Sequence, residues 1–216
     1  MKKIIIVIVA LVLTGSIYAT GVILPSNENY PEDLLRNSIC EITVDINKNY
    51  AETTVYEEFI NESSMAVNGV YSFPLPEDAR SIALYYWRND SLFQAVLKVQ
   101  PQEPNPGTGT GGIAAEVNDY IGKNGLRIKF LQIPAGGVQK VELHYISKLQ
   151  FFNNRFTYTY PLNTSRFIDY PEEYLKIDVN VKSDSLIESY SLPGFDGYSE
   201  LYKSGDSLHV NYTKSK

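Results

Sequence analysis

The groups that could do chemistry are few. His144 and His209 are the only imidazoles and Cys40 the only thiol in 216 residues. Both histidines fall on the polar phase of an alternating stretch, and neither has a carboxylate and second ligand at the spacing a metal or a positioned general base requires. Each therefore reads as an outward-facing sheet histidine. A serine nucleophile would need a G-x-S-x-G elbow, which is absent. The pairs Glu57-Glu58 and Glu172-Glu173 read as solvated surface, because adjacent strand residues point to opposite faces and cannot flank one glycosidic bond. Gly107-Thr108-Gly109-Thr110-Gly111-Gly112 matches G-x-G-x-x-G. The dinucleotide fingerprint needs a strand directly before it, however, and Pro101, Pro104 and Pro106 stand there instead. No Gly-Lys-Ser/Thr is present for a P-loop. No catalytic residue, cofactor or metal is expected.

What remains is aromatic. Tyrosine occurs 17 times, and the densest spot is Tyr85-Tyr86-Trp87. Strand alternation puts Tyr85 and Trp87 on one face and Tyr86 on the other. Exposed, the pair makes a stacking surface for a sugar ring or a protein partner; packed, the run supplies core and one surface tyrosine. The formal charge of −6, from 19 basic and 25 acidic residues, argues against nucleic acid, whose phosphates need clustered Lys and Arg.

The elements that must position these residues begin after an N-terminal run of a different kind. Lys2 and Lys3 precede the apolar stretch Ile4 to Leu13, and small residues follow, the plan of a secretory signal peptide over residues 1–21. Cleavage fits after Ala19 or after Gly21. The competing reading is an uncleaved anchor, since Ile4 to Leu24 carries no charge and would be long enough to cross a bilayer as a helix. Contact with a membrane is expected only through that segment. Either way the rest of the chain is exported, to the periplasm, the cell surface or the medium.

From Cys40 onward, short apolar-polar alternations separated by turn residues repeat along the chain: 40–46, 51–60, 68–73, 82–87, 92–99, 126–130, 141–145, 149–152, 155–160, 175–181, 186–192 and 208–212. Asn47-Lys48-Asn49, Arg88-Asn89-Asp90, Pro134 to Gly137 and Asn153-Asn154 supply the turns. This pattern predicts an all-β, mostly antiparallel sandwich. Ile42, Val44, Val70, Ile128, Phe130, Val141, Leu143 and Phe156 should be its core, with Cys40 a buried thiol in phase with Ile42. Gln100 to Gly112, rich in Pro and Gly, predicts an irregular exposed loop, and Ile113 to Ile121 the one short helix.

Two runs carry a family likeness. Val55-Tyr56-Glu57-Glu58-Phe59-Ile60-Asn61, then Tyr71-Ser72-Phe73-Pro74-Leu75-Pro76, resemble the vault protein inter-alpha-trypsin (VIT) domain. Leu131 to Gly137 leading into Val141 to Tyr145, and Arg155 to Leu162, are similar to that family's later strands. The likeness spans residues 38–168, and leaves 169–216 as additional strands or the start of a further domain. Where the family domain carries a helix with alanines and a tyrosine, this chain has the Pro/Gly loop followed by Ala114, Ala115 and Tyr120. Family members commonly continue into a von Willebrand factor A domain. The Asp-x-Ser-x-Ser run of its metal site has no counterpart here. The resemblance implies an interaction or structural module with a protein partner, the residue chemistry argues that it is non-enzymatic, and the cell envelope follows from the leader. A carbohydrate-binding module using Tyr85, Tyr86 and Trp87 is the alternative.

Overall fold

A computed structural model describes residues 5–11, 21–26, 30, 34–97, 121, 124–160, 162, 173–192 and 200–215. Fifteen strands account for most of them: β1 Ile5–Leu11, β2 Val22–Pro25, β3 Leu35–Asn47, β4 Tyr50–Asn61, β5 Val67–Phe73, β6 Arg80–Arg88, β7 Ser91–Gln94, β8 Leu126–Ile133, β9 Val138–Lys148, β10 Gln150–Phe152, β11 Arg155–Tyr160, β12 Tyr174–Lys182, β13 Ile187–Ser191, β14 Glu200–Ser204 and β15 Ser207–Ser215. The all-β sandwich expected from the alternation is what forms. An eight-stranded sheet runs β14-β15-β12-β3-β4-β9-β6-β7, a three-stranded sheet β2-β5-β8, and a four-stranded sheet β10-β11-β1-β13. Their inner faces share one apolar core, to which the large sheet contributes Ile42, Val55, Phe59, Leu84 and Leu143, and the small ones Tyr71, Phe73, Phe130, Tyr158 and Tyr160.

Turn chemistry sets the registers. Asn89 and Asp90 take φ of 49° and 60°, and Asn153 and Asn154 repeat those values, so two-residue left-handed turns join β6 to β7 and β10 to β11. Gly136, at φ 64°, closes the β8–β9 corner, where a side chain would be strained. The corner is held by Asn61, whose Nδ2 donates to the carbonyls of Met65, Ile133 and Pro134.

Several expectations need correction. Val70 is half-buried because the core phase of β5 belongs to Val67, Gly69, Tyr71 and Phe73. Ile128 and Phe156 lie at the margin of the core, partly covered. The strand expected over 92–99 ends at Gln94: β7 is an edge strand with every side chain exposed, and Val96 and Leu97 after it are exposed too. Pairing is mostly antiparallel, as expected, with three parallel exceptions: β12 runs parallel to β3, from Tyr174 opposite Ile39 to Lys182 opposite Asn47, and β1 runs parallel to β11 and β13. Sequence alternation cannot distinguish these directions. Of the strands after residue 173, β12, β14 and β15 thus share the sheet of β3 and β4, while β13 pairs with β1. Ile5–Leu11 and Val22–Pro25 are extended, and among the described residues no helix is long and apolar enough to cross a membrane. The expected loop at Gln100 to Gly112 lies outside the described residues, as does the expected helix apart from Ile121. Cys40 is buried as expected.

Candidate interaction surface

The central sheet presents two faces, and β4 shows how. Its side chains alternate strictly between buried and less buried from Tyr50 to Asn61, because a pleated strand points successive residues to opposite sides. Tyr56 and Glu58 therefore face outward while Val55, Glu57 and Phe59 face the core.

On the outer face β4, β9 and β6 lie side by side. Glu142 is opposite both Tyr56 on β4 and Tyr85 on β6. Trp87 meets Tyr56 edge-on, ring centroids 5.9 Å apart, and Tyr85 meets the His144 ring edge-on at 5.5 Å. Acids sit among these rings. The Tyr56 hydroxyl donates to Glu58 Oε1, which also lies 3.5 Å from Lys140 Nζ. Burial, then the hydrogen bond to Glu58 and its charge, push the Tyr56 phenol well above its ordinary range. His144 Nε2 is 2.6 Å from Glu142 Oε1, and its Nδ1 is 3.3 Å from Thr54 Oγ1. The His144–Glu142 pair joins residues two apart on one strand. Period-two spacing makes such neighbours legible in sequence.

Tyr86 points the other way, stacking on Phe93 and tilting against Phe130 at 5.6 Å in each case. The aromatic run is thus split: Tyr85 and Trp87 belong to the outer face, both half-buried, and Tyr86 packs against the core. Beside them β7 ends the sheet among the described residues, with Leu92 and Phe93 exposed.

Farther along the same outer face a polar ladder crosses three strands. Asn180 on β12 donates to Asp45 on β3 at 2.9 Å, and its carbonyl oxygen lies 2.7 Å from His209 Nδ1 on β15. Exposed Tyr202 stands opposite His209 on β14, and these residues border a shallow groove of about 370 Å³. Among the described residues, no three His, Cys, Asp or Glu side chains converge as metal ligands do.

The inner face holds the one titratable group that the sequence reading misplaced. Glu57, expected at the surface with Glu58, is fully buried. Its Oε1 accepts from the Gly21 backbone N–H at 3.0 Å and from Asn37 Nδ2 at 3.1 Å, and its Oε2 from the Tyr71 hydroxyl at 2.7 Å. A bulge in β3 between Asn37 and Ile39 turns Asn37 inward, because an extra residue resets the alternation. Burial raises the carboxyl from 4.5 to about 7 against the opposing pull of the Tyr71, Gly21 and Asn37 hydrogen bonds. The available signal was phase: Glu57 shares parity with Val55 and Phe59.

With this geometry in hand, comparison with known families finds one match. The family model of the vault protein inter-alpha-trypsin domain covers residues 38–145, the stretch from β3 through Tyr145 of β9. No curated protein matches the chain.

Proposed function

Because this chain belongs to the vault protein inter-alpha-trypsin domain family, we propose that it works as an exported, non-enzymatic interaction module at the cell envelope, and that the outer face around Trp87 grips a protein partner. The observation that carries the reading is the continuity of rings and acids on one exposed sheet face: Tyr56, Tyr85 and Trp87 interleaved with Glu58, Glu142 and His144. Aromatics bring large rigid contact area with polar tips, which is what interface centres are made of. The open edge of β7 beside them can accept a partner's strand through backbone hydrogen bonds. Export is supported by the charged, apolar and small-residue plan of residues 1–21.

A photo-crosslinking residue placed at Leu92, the exposed register partner of Trp87 on β7, in the native host tests this. The expected result is one recurrent partner, lost with Trp87→Ala while the melting temperature changes little. Equal crosslinking from Leu186, in the segment between β12 and β13, would refute the face. A carbohydrate reading has separate support in the groove beside Tyr202, where an exposed ring flanks the Asp45–Asn180–His209 ladder. Titration with neutral oligosaccharides, comparing Tyr202→Ala with Trp87→Ala, separates the two.

A further inference from the structure

We infer that the caged carboxylate of Glu57 is the seat of the α-ammonium group created when the leader is removed, so that the processed chain ties its own N-terminus into the core by an ion pair. The inference rests on the export reading. A peptidase adds water across the bond after Ala19 or Gly21; the leader keeps the new carboxylate, and the new amine takes up a proton.

Three observations carry it. The first is the cage. A fully buried carboxylate is surrounded by three neutral donors, from Gly21, Asn37 on β3 and Tyr71 on β5. Its register partners are Cys40 on β3 and Val141 on β9, so among the described residues Tyr71 and Cys40 are the titratable groups facing it, and neither is a cation. An ionised acid so placed is costly unless a positive charge joins it. The second is Asn37, only 1 % exposed, whose Nδ2 serves Glu57 while its Oδ1 has no hydrogen-bond partner among the described residues. A peptide N–H has one proton to give; an ammonium has three, enough for Glu57 and Asn37 together. The third is position. A Cβ built on Gly21 would come within 2.2 Å of Glu57 Oε2, so the backbone presses directly on the carboxylate. The two cleavage positions leave the amine on residue 20 or 22, each one residue from that contact, and consecutive Cα atoms are only ~3.8 Å apart.

The test starts from the processed chain, its terminus identified by mass. Carbon-13 NMR follows the Glu57 carboxyl through the pH range in this chain and in the same chain carrying a Gly-Ser-Gly-Ser extension, which moves the amine away. With the native terminus the carboxyl should titrate below its ordinary 4.5, and with the extension it should climb toward about 7. The unfolding constant of the extended form should rise roughly a hundredfold from mildly acidic to mildly basic pH, and that of the native form by under about tenfold. Comparing two forms of one processed chain is necessary, because leader removal also takes β1 from between β11 and β13. Glu57→Gln should abolish the difference between the forms. Should that variant fail to fold, acylation of the α-amine gives a second reading: slow in the folded chain, fast in urea. Titration near 7 in both forms, with a protonated Glu57 donating to Asn37 Oδ1, overturns the ion pair and leaves export standing. A chain recovered from the envelope with residues 1–21 attached overturns both.

Discussion

Glu57 and Glu58 are joined by one peptide bond and live in opposite media. Glu58 lies on the outer face, half-covered, sharing its charge with the Tyr56 hydroxyl and Lys140. Glu57 lies inside, without exposure, held by three neutral donors. The outer face can exchange its partners for solvent or for another molecule, because water competes at every position. The inner face cannot, and each polar atom there must be satisfied by the fold itself. One sheet thus separates a surface suited to recognition from a polar site bound up with stability.

The sharpest way to break the comparison is Tyr71→Ala. It removes a buried ring packed 5.9 Å from Phe59 and 6.4 Å from Phe73, and strips Glu57 of its hydroxyl donor. A loss of about 4 kcal/mol is expected in urea unfolding. Next comes pH. In a chain whose α-amine is not at the cage, the folded state holds the Glu57 proton more tightly than the unfolded state, about 7 against 4.5. Stability is therefore complete below about pH 4.5 and declines as pH rises toward 7, by on the order of 3 kcal/mol, then levels. Glu57→Gln should flatten that profile, and Glu58→Gln should leave it standing.

Smaller effects belong to the outer face. Trp87→Ala should cost about 1 kcal/mol, since its ring is half-buried against Tyr56, and a loss of several kcal/mol in thermal unfolding would show that the ring is a core element. Smallest is Glu58→Gln, under about 0.5 kcal/mol because its ion pair is partly solvated. That substitution should bring the Tyr56 phenol partway back toward 10 by NMR titration, with burial, the larger cause, keeping it raised.

Much of this molecule is legible in its residues. Strict alternation in β4, β9 and β12, and in β3 beyond its bulge, marks which side of each strand is buried, and the Asn89-Asp90 and Asn153-Asn154 pairs mark the β6–β7 and β10–β11 hairpins. The split of Tyr85 and Trp87 from Tyr86 follows from the same period. β14 and β2 escaped notice, being too short to show a period. Val70 failed because it shares its phase with Asn68 and Ser72, while Val67, Tyr71 and Phe73 hold the apolar phase of β5 that packs into the core.

The sequence by itself determined the all-β class, the strand phases and the family likeness, since these depend on residue type and on neighbours one or two positions away. Only the tertiary structure decided the parallel seating of β12 on β3, the bulge that turns Asn37 inward, and the meeting of Gly21, Asn37 and Tyr71 around Glu57. Those three groups lie 36, 20 and 14 residues from Glu57 along the chain. Which long-range partners meet is set by how three sheets close over a shared core, and no local pattern encodes that choice.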